Sequence, residues 1–241
     1  MEIIKITLVG LLFGTFGTTI GGIIGVSLKN ISDRFLSFIL SFAAGLMMAV
    51  VCFELIPEAL AISKISTVIL TIIAGIIIMI FCDYIVGKSS KMRSQNKLLK
   101  TGIVISIGLA LHNVPEGLAI GSSFGASIKL GYALAIAIAF HDVPEGIAMA
   151  IPLKTGGMKS LKVIWYVILS GFATGIGAFA GAVVGSISQT VIAICLSFAA
   201  GAMLYIVSGE LIPESNKIYR GTIPLIGNIL GILVGLCVGR L

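Results

Sequence analysis

Long apolar runs separated by short polar joints fill the chain. A helix needs about 20 apolar residues to cross a bilayer core. Read that way, the pattern predicts eight spans, at 3–28, 35–57, 66–87, 101–123, 130–153, 161–185, 190–213 and 222–241. The longest polar joint is KSSKMRSQNKLLK at 88–100, too short for a separate soluble domain. The expected fold class is therefore an all-α polytopic membrane protein, 1–241 forming one transmembrane unit.

Two near-identical stretches recur along the chain. SFAAG occupies 41–45 and 197–201, and ELIPE occupies 54–58 and 210–214, each pair 156 positions apart. They fall in spans two and seven, which run in opposite directions across the membrane. Spans 1–3 and 6–8 then read as inverted repeats flanking spans four and five, a 3+2+3 arrangement. Inverted repeats are a hallmark of secondary transporters, whose binding sites lie near the midplane.

Composition agrees with the pattern. Hydrophobic residues make up 58% of the chain and charged residues 11%, against about 25% charged in soluble domains. That excludes a water-exposed globular body. The apolar N-terminus is longer than a signal-peptide core and leads straight into further spans, so it reads as a first span. The four cysteines, Cys52, Cys82, Cys195 and Cys237, have no CxxC spacing. They suggest neither a disulfide framework nor a thiolate metal cluster.

The net charge of +6 matters through its distribution. With both termini outside, the inner face collects Lys29, Arg34, Lys88, Lys91, Arg93, Lys97, Lys100, Lys154, Lys159, Lys162, Lys217 and Arg220. The outer face keeps only Lys5, Lys64, Lys129 and Arg240. The positive-inside bias thus places 88–100 in the cytoplasm of a multi-pass plasma-membrane protein. The basic residues report orientation and solvation, and no nucleic-acid partner is expected. Glycines 14, 17, 21, 22 and 25 give span one a face on which another backbone can pack closely.

Candidate chemistry lies in spans four and five. The two histidines of the chain open the motifs HNVPEG (112–117) and HDVPEG (141–146), 29 positions apart. Each lies about midway along its span, so antiparallel packing brings both to the bilayer centre. At about 100° per residue, Glu116 projects between His112 and Asn113, and Glu145 between His141 and Asp142. Facing helices would form one cluster of His112, Glu116, His141 and Glu145. A second cluster would contain Asn113, Asp142 and the same two glutamates, which bridge. Pro115 and Pro144 free the carbonyls of Leu111 and Phe140, and Gly117 and Gly146 remove bulk beside the glutamates.

Unpaired, the three carboxylates would cost roughly 8–10 kcal/mol at mid-membrane. No lysine or arginine lies at that depth in the sequence, whereas divalent cations would compensate them. Imidazole and carboxylate without thiolate suit Zn2+, Fe2+ or Mn2+ over Cu+. The imidazoles must be neutral to bind, so occupancy falls on acidification. The metal is expected as bound substrate, with no cofactor. Glu54, Glu58, Glu210 and Glu214 of the two ELIPE motifs read either as entrance and exit ligands or as interfacial acids at proline-terminated helix ends.

The paired HNVPEG and HDVPEG motifs, the repeated ELIPE and the eight spans resemble the ZIP family of divalent-metal transporters, and most of all its prokaryotic GufA-like branch. The resemblance covers essentially the whole chain. It implies uptake of Zn2+ and related ions (Fe2+, Mn2+, Cd2+) into the cytoplasm, usually by a homodimer. It also implies a binuclear site, with His112, Glu116, His141 and Glu145 at one position and Asn113, Glu116, Asp142 and Glu145 at the other. Met47 matches a family residue close to the site. The family pattern further suggests that spans one, four, five and six slide against the rest. In this branch a glutamate of span six often completes the second position; here Thr174 stands there, after Ser170-Gly171. The family's histidine-rich loop is absent from 88–100. An intramembrane zinc hydrolase using the same ligands is an alternative, disfavoured because an enzyme has no need of an inverted repeat. A non-transporting metal sensor is another, disfavoured by the lack of a soluble output domain.

Overall fold

Apolar runs of this length bury their backbone polar groups only by closing them into helices, and every regular element described is helical. The computed structural model describes residues 2–28, 32–89 and 97–238. Its helices are α1 (Ile3–Ser27), α2 (Asp33–Ile62), α3 (Ile65–Ser89), α4 (Lys97–Ala126), α5 (Ile128–Thr155), α6 (Ser160–Gly185), α7 (Gln189–Ile218) and α8 (Thr222–Val238). Six of them are long and apolar enough to cross a membrane, and α8 is apolar but shorter. Helix α4 is long and carries His112, Asn113 and Glu116 near its middle. The chain is a polytopic membrane protein by this architecture. Most of the predicted joint 88–100 lies either in helix or outside the described residues, as do Lys29, Lys91, Arg93 and Arg240.

The ends of spans two and seven need correction. Sequence placed them at the prolines of ELIPE, but α2 continues to Ile62 and α7 to Ile218. Proline lacks an N–H, and its ring collides with the carbonyl four residues back in a regular helix. Here a π-turn precedes each proline, at Val51–Leu55 and Val207–Leu211. Ile56 N–H reaches back to Val51 O, and Ile212 N–H to Val207 O. The widened turn lets Pro57 and Pro213 sit in the first turn of a continuing helix.

Helix α4 packs along α6 and α5, and α1 packs along α5 and α6, so these four surround a common interior. Helices α2 and α7 pack together, with α8 against α2 and α3 against α7. The two groups meet where α4 touches α7 and α5 touches α2. Backbones approach so closely that a Cβ on Gly21 would overlap the Val143 carbonyl, and one on Gly177 the Val114 carbonyl. Likewise Gly45 lies against the Asn228 carbonyl and Gly201 against the Ile72 carbonyl. The corresponding glycines are 156 positions apart, as are Ile72 and Asn228; Val114 and Val143 are 29 apart.

Gly177→Ala should therefore destabilise the protein by about 1–3 kcal/mol through overpacking. Gly209→Ala, where nothing lies within 4 Å of the added carbon, should not lower stability. Melting of both variants in detergent checks this; a Gly177→Ala protein as stable as the parent would contradict the close packing of α4 on α6.

Candidate metal centre

One residue, Ser127, separates α4 from α5, and its hydroxyl caps α5 by accepting from Leu130 N–H at 3.0 Å. Such a side-chain cap satisfies an orphan donor at the helix start. The tight hairpin fixes the register. His112 lies fifteen residues before Ser127 and His141 fourteen after it, so both stand about 22 Å along their helices from the turn. Pro115 and Pro144 sit inside helices that continue past them.

All six predicted ligands are buried: His112 is 2% exposed, Glu145 1%, and Asn113, Glu116, His141 and Asp142 0%. Glu116 Oε1 stands between the two imidazoles, 3.1 Å from His112 Nε2 and 2.7 Å from His141 Nε2. Glu145 Oε1 is 3.3 Å from His112 Nε2, and Asp142 Oδ1 is 3.6 Å from His141 Nε2. Two ligand groups result, His112–Glu116–Glu145 and Glu116–His141–Asp142, the atoms of each lying within 4.8 Å of one another. Ligands about 2.0–2.1 Å from a tetrahedral ion are about 3.3 Å apart, close to the shorter separations here.

Glu116 is common to both groups, and Asp142 stands with Glu116 and His141. Asn113 is turned toward α6, where its Nδ2 donates to Ser170 O at 2.9 Å. Helix geometry on α4 and α5 alone could not reveal that partner. Among the described residues, Asn113 Oδ1, Glu116 Oε2, both oxygens of Asp142 and of Glu145, and Thr174 Oγ1 are buried without a hydrogen-bond partner. Buried polar atoms are nearly always satisfied, so this concentration suits a site that receives a cation. Neutral imidazole and carboxylate donors fit a divalent ion of the zinc type.

Thr174 is fully buried, its side chain against Gly14 and its carbonyl against Gly117, next to Glu116. Helix α1 thus borders the centre, and Gly17 faces Asp142 Cβ. The glycine spacing of span one was the only trace of this in the sequence. Met47 is fully buried in the core with Met203. Met203 was overlooked, although it follows the second SFAAG at the same interval as Met47 follows the first. Glu54 and Glu58 are half-buried, while Glu210 and Glu214 are exposed. Glu214 pairs with Lys217 at 3.2 Å. None of these four glutamates belongs to either ligand group among the described residues.

A family model described as ZIP Zinc transporter matches residues 87–239. Zinc transporter ZupT of Corynebacterium aurimucosum is 30% identical over 243 residues, covering 92% of each chain. Zinc transporter ZupT of Escherichia coli O127:H6 is 33% identical over 230 residues, covering 90% of this chain and 89% of that protein. Zinc transporter ZIP11 of Xenopus tropicalis is 37% identical over 139 residues, which cover 55% of this chain and 41% of that longer protein.

Because Glu116 Oε1 contacts both imidazoles, Glu116→Ala should weaken Zn2+ binding more than Glu145→Ala does. Truncating one partner of a buried charged pair costs about 2–5 kcal/mol, or about 30-fold or more in affinity. Calorimetric titration of the purified variants checks the order; a greater loss with Glu145→Ala would reverse the assignment of the shared ligand.

Proposed function

Because the chain belongs to the ZIP family of zinc transporters, we propose that it carries Zn2+ across the plasma membrane into the cytoplasm, using the α4–α5 centre as its cargo site. The observation that carries this reading is the pair of buried ligand groups sharing Glu116 at the middle of α4 and α5. Fe2+, Mn2+ and Cd2+ are further cargoes compatible with imidazole and carboxylate donors. The cargo is held by His112, Glu116, His141 and Glu145, with Asn113 and Asp142 completing the polar interior.

The chain acts as a single transmembrane unit of eight spans in a 3+2+3 arrangement, with the termini outside. Three features support an inverted repeat. The π-turns of α2 and α7 recur 156 positions apart. So do the glycine–carbonyl approaches at Gly45 and Gly201 and at Gly21 and Gly177. Finally, α4–α7 contacts answer α2–α5 contacts between the two helix groups. Such a repeat gives one site alternate access to the two sides. The grouping of α1, α4, α5 and α6 apart from α2, α3, α7 and α8 suits movement of the first group, with its cargo, against the second. Homodimerisation is expected from the family resemblance. The relatives are named as transporters rather than hydrolases, and no feature of the site favours a hydrolase or a sensor.

Reconstituted in liposomes, the protein should accumulate Zn2+. Glu116→Ala and Glu145→Ala should each abolish uptake, while Glu214→Ala, outside the ligand groups, should retain it. Fluorescent zinc indicators inside the vesicles read the flux; unimpaired uptake by both site variants would discard the proposal.

A further inference from the structure

A groove of about 640 Å3 runs between α1 and α6, away from the metal centre. Its walls include Leu12, Phe16 and Thr19 of α1 and Ile168 and Phe172 of α6. Close packing creates it. A Cβ on Gly171 would stand 2.8 Å from Thr15 Cα, and one on Gly22 would stand 2.9 Å from Val167 Cγ1. The two backbones meet along this seam, so the larger side chains beside it splay outward and leave a trough. At about 100° per residue, Phe172 projects nearly opposite to Thr174, whose side chain lies against Gly14 beside the centre. Groove and centre thus lie on the two sides of one helix seam.

The lining suits hydrocarbon. Thr15 turns its hydroxyl back to the Leu11 carbonyl of its own helix, and most of the remaining wall is leucine, isoleucine and phenylalanine. Leu12, Phe16 and Phe172 are all exposed. Phe172 is ten residues from Lys162, about 15 Å along the helix, which is about half of a hydrocarbon core of about 30 Å. The deep end of the groove is therefore near the bilayer midplane, and its shallow end faces one leaflet.

That shallow end has the chemistry of a headgroup contact. Trp165, the single tryptophan of the chain, is exposed. Helical periodicity puts it on the same face of α6 as Ile168 and Phe172. Tryptophan is enriched at the membrane–water interface. Beyond it stand Lys159 and Lys162, both exposed, at the start of α6, whose first turn has no acidic residue. Neither lysine pairs with a carboxylate among the described residues. Lys5, at the opposite membrane face, does pair, with Glu2 at 3.5 Å. Unpaired positive charge, an interfacial tryptophan and an apolar trough follow one another along a single helix face.

We propose that the α1–α6 groove binds one anionic phospholipid from the leaflet that adjoins Lys159 and Lys162, the cytoplasmic one in the proposed orientation. The two lysines hold the phosphate headgroup, Trp165 lies beside the top of the chains, and one acyl chain fills the groove as far as Phe172. Basic residues at cytoplasmic helix ends attract anionic headgroups at short range. A zwitterionic lipid offers the same chain without net charge, so the lysines set the preference and the groove sets the place. The site does not depend on which ion the centre carries.

Trp165 fluorescence in the full-length protein tests this. The protein is reconstituted in phosphatidylcholine vesicles containing a small fraction of phosphatidylglycerol, with bromine on the chains of one lipid or the other. Quenching should give phosphatidylglycerol an apparent affinity about tenfold above that of phosphatidylcholine, the scale expected of two nearby lysines. The double variant Lys159→Gln with Lys162→Gln should lose most of this preference, and Lys217→Gln, at the end of α7, should keep it. Thr19→Phe, which fills the groove and leaves both lysines in place, should also lose it. Equal quenching by the two lipids in the parent protein would overturn the proposal. So would a preference that survives the double lysine variant or Thr19→Phe. Insensitivity of Trp165 to both lipids would overturn it too, by giving the groove to a second copy of the chain.

Discussion

Three carboxylates lie buried at the middle of two adjoining membrane helices, and among the described residues no lysine or arginine side chain pairs with them. Where lysines do pair in the described residues, as Lys5 with Glu2 and Lys217 with Glu214, they are exposed. The interior charge can therefore be compensated only by the two imidazoles, by protons or by an ion brought from solution. Neutral imidazoles do not compensate it, but they do offer nitrogen ligands to a metal. The resting protein is thus poised to bind cations strongly, and a bound ion removes an electrostatic penalty as well as gaining ligands.

That polar interior needs shielding from lipid, and shielding dictates the packing. Helix α4 is the most polar at its centre, and it is embraced by α5, α6 and α7, with α1 nearby. Helix α3, by contrast, presents Ile69, Leu70, Ile77 and Phe81 outward, each at least half exposed. Close wrapping of α4 is possible because glycines let carbonyls of neighbouring helices press against its backbone. Small residues at helix interfaces serve this purpose in lipid. Gly117 and Gly146 place this contact immediately beside Glu116 and Glu145, against the carbonyls of Thr174 and Thr18. Packing and chemistry consequently share the same few residues, and bulk added there alters both.

Much of this was legible in the sequence because the constraint is local. Apolar run length gave the helices, and the distances of His112 and His141 from the turn gave their common depth. Helical periodicity on two elements singled out six candidate residues, and all six are buried. Several features depended on elements far away in sequence and so were hidden. The turn of Asn113 toward Ser170 and the crossing of α1 over Asp142 are of this kind. The prolines of ELIPE misled for another reason. Proline ends a regular helix, but a π-turn placed just before it removes the clash, and nothing in the five residues VCFEL or VSGEL announces that turn.

The differences between corresponding positions carry as much meaning as the likenesses. At one end of the α2–α7 crossing, Ser37 Oγ donates to Ser215 O at 2.7 Å, deep in apolar surroundings. The corresponding positions 156 residues away are Ala193 and Ala59, both fully buried and capable of van der Waals contact alone. A buried hydrogen bond is directional and costly to leave unmade, whereas an alanine surface permits sliding. Thr18 and Thr174 differ in the same manner, one hydroxyl tied to its own helix and the other buried without a hydrogen-bond partner. Backbone approaches that recur 156 positions apart thus carry unequal side chains: a directional hydrogen bond faces a pair of alanines, and a satisfied hydroxyl faces an unsatisfied one, so the two stretches pack alike without being interchangeable.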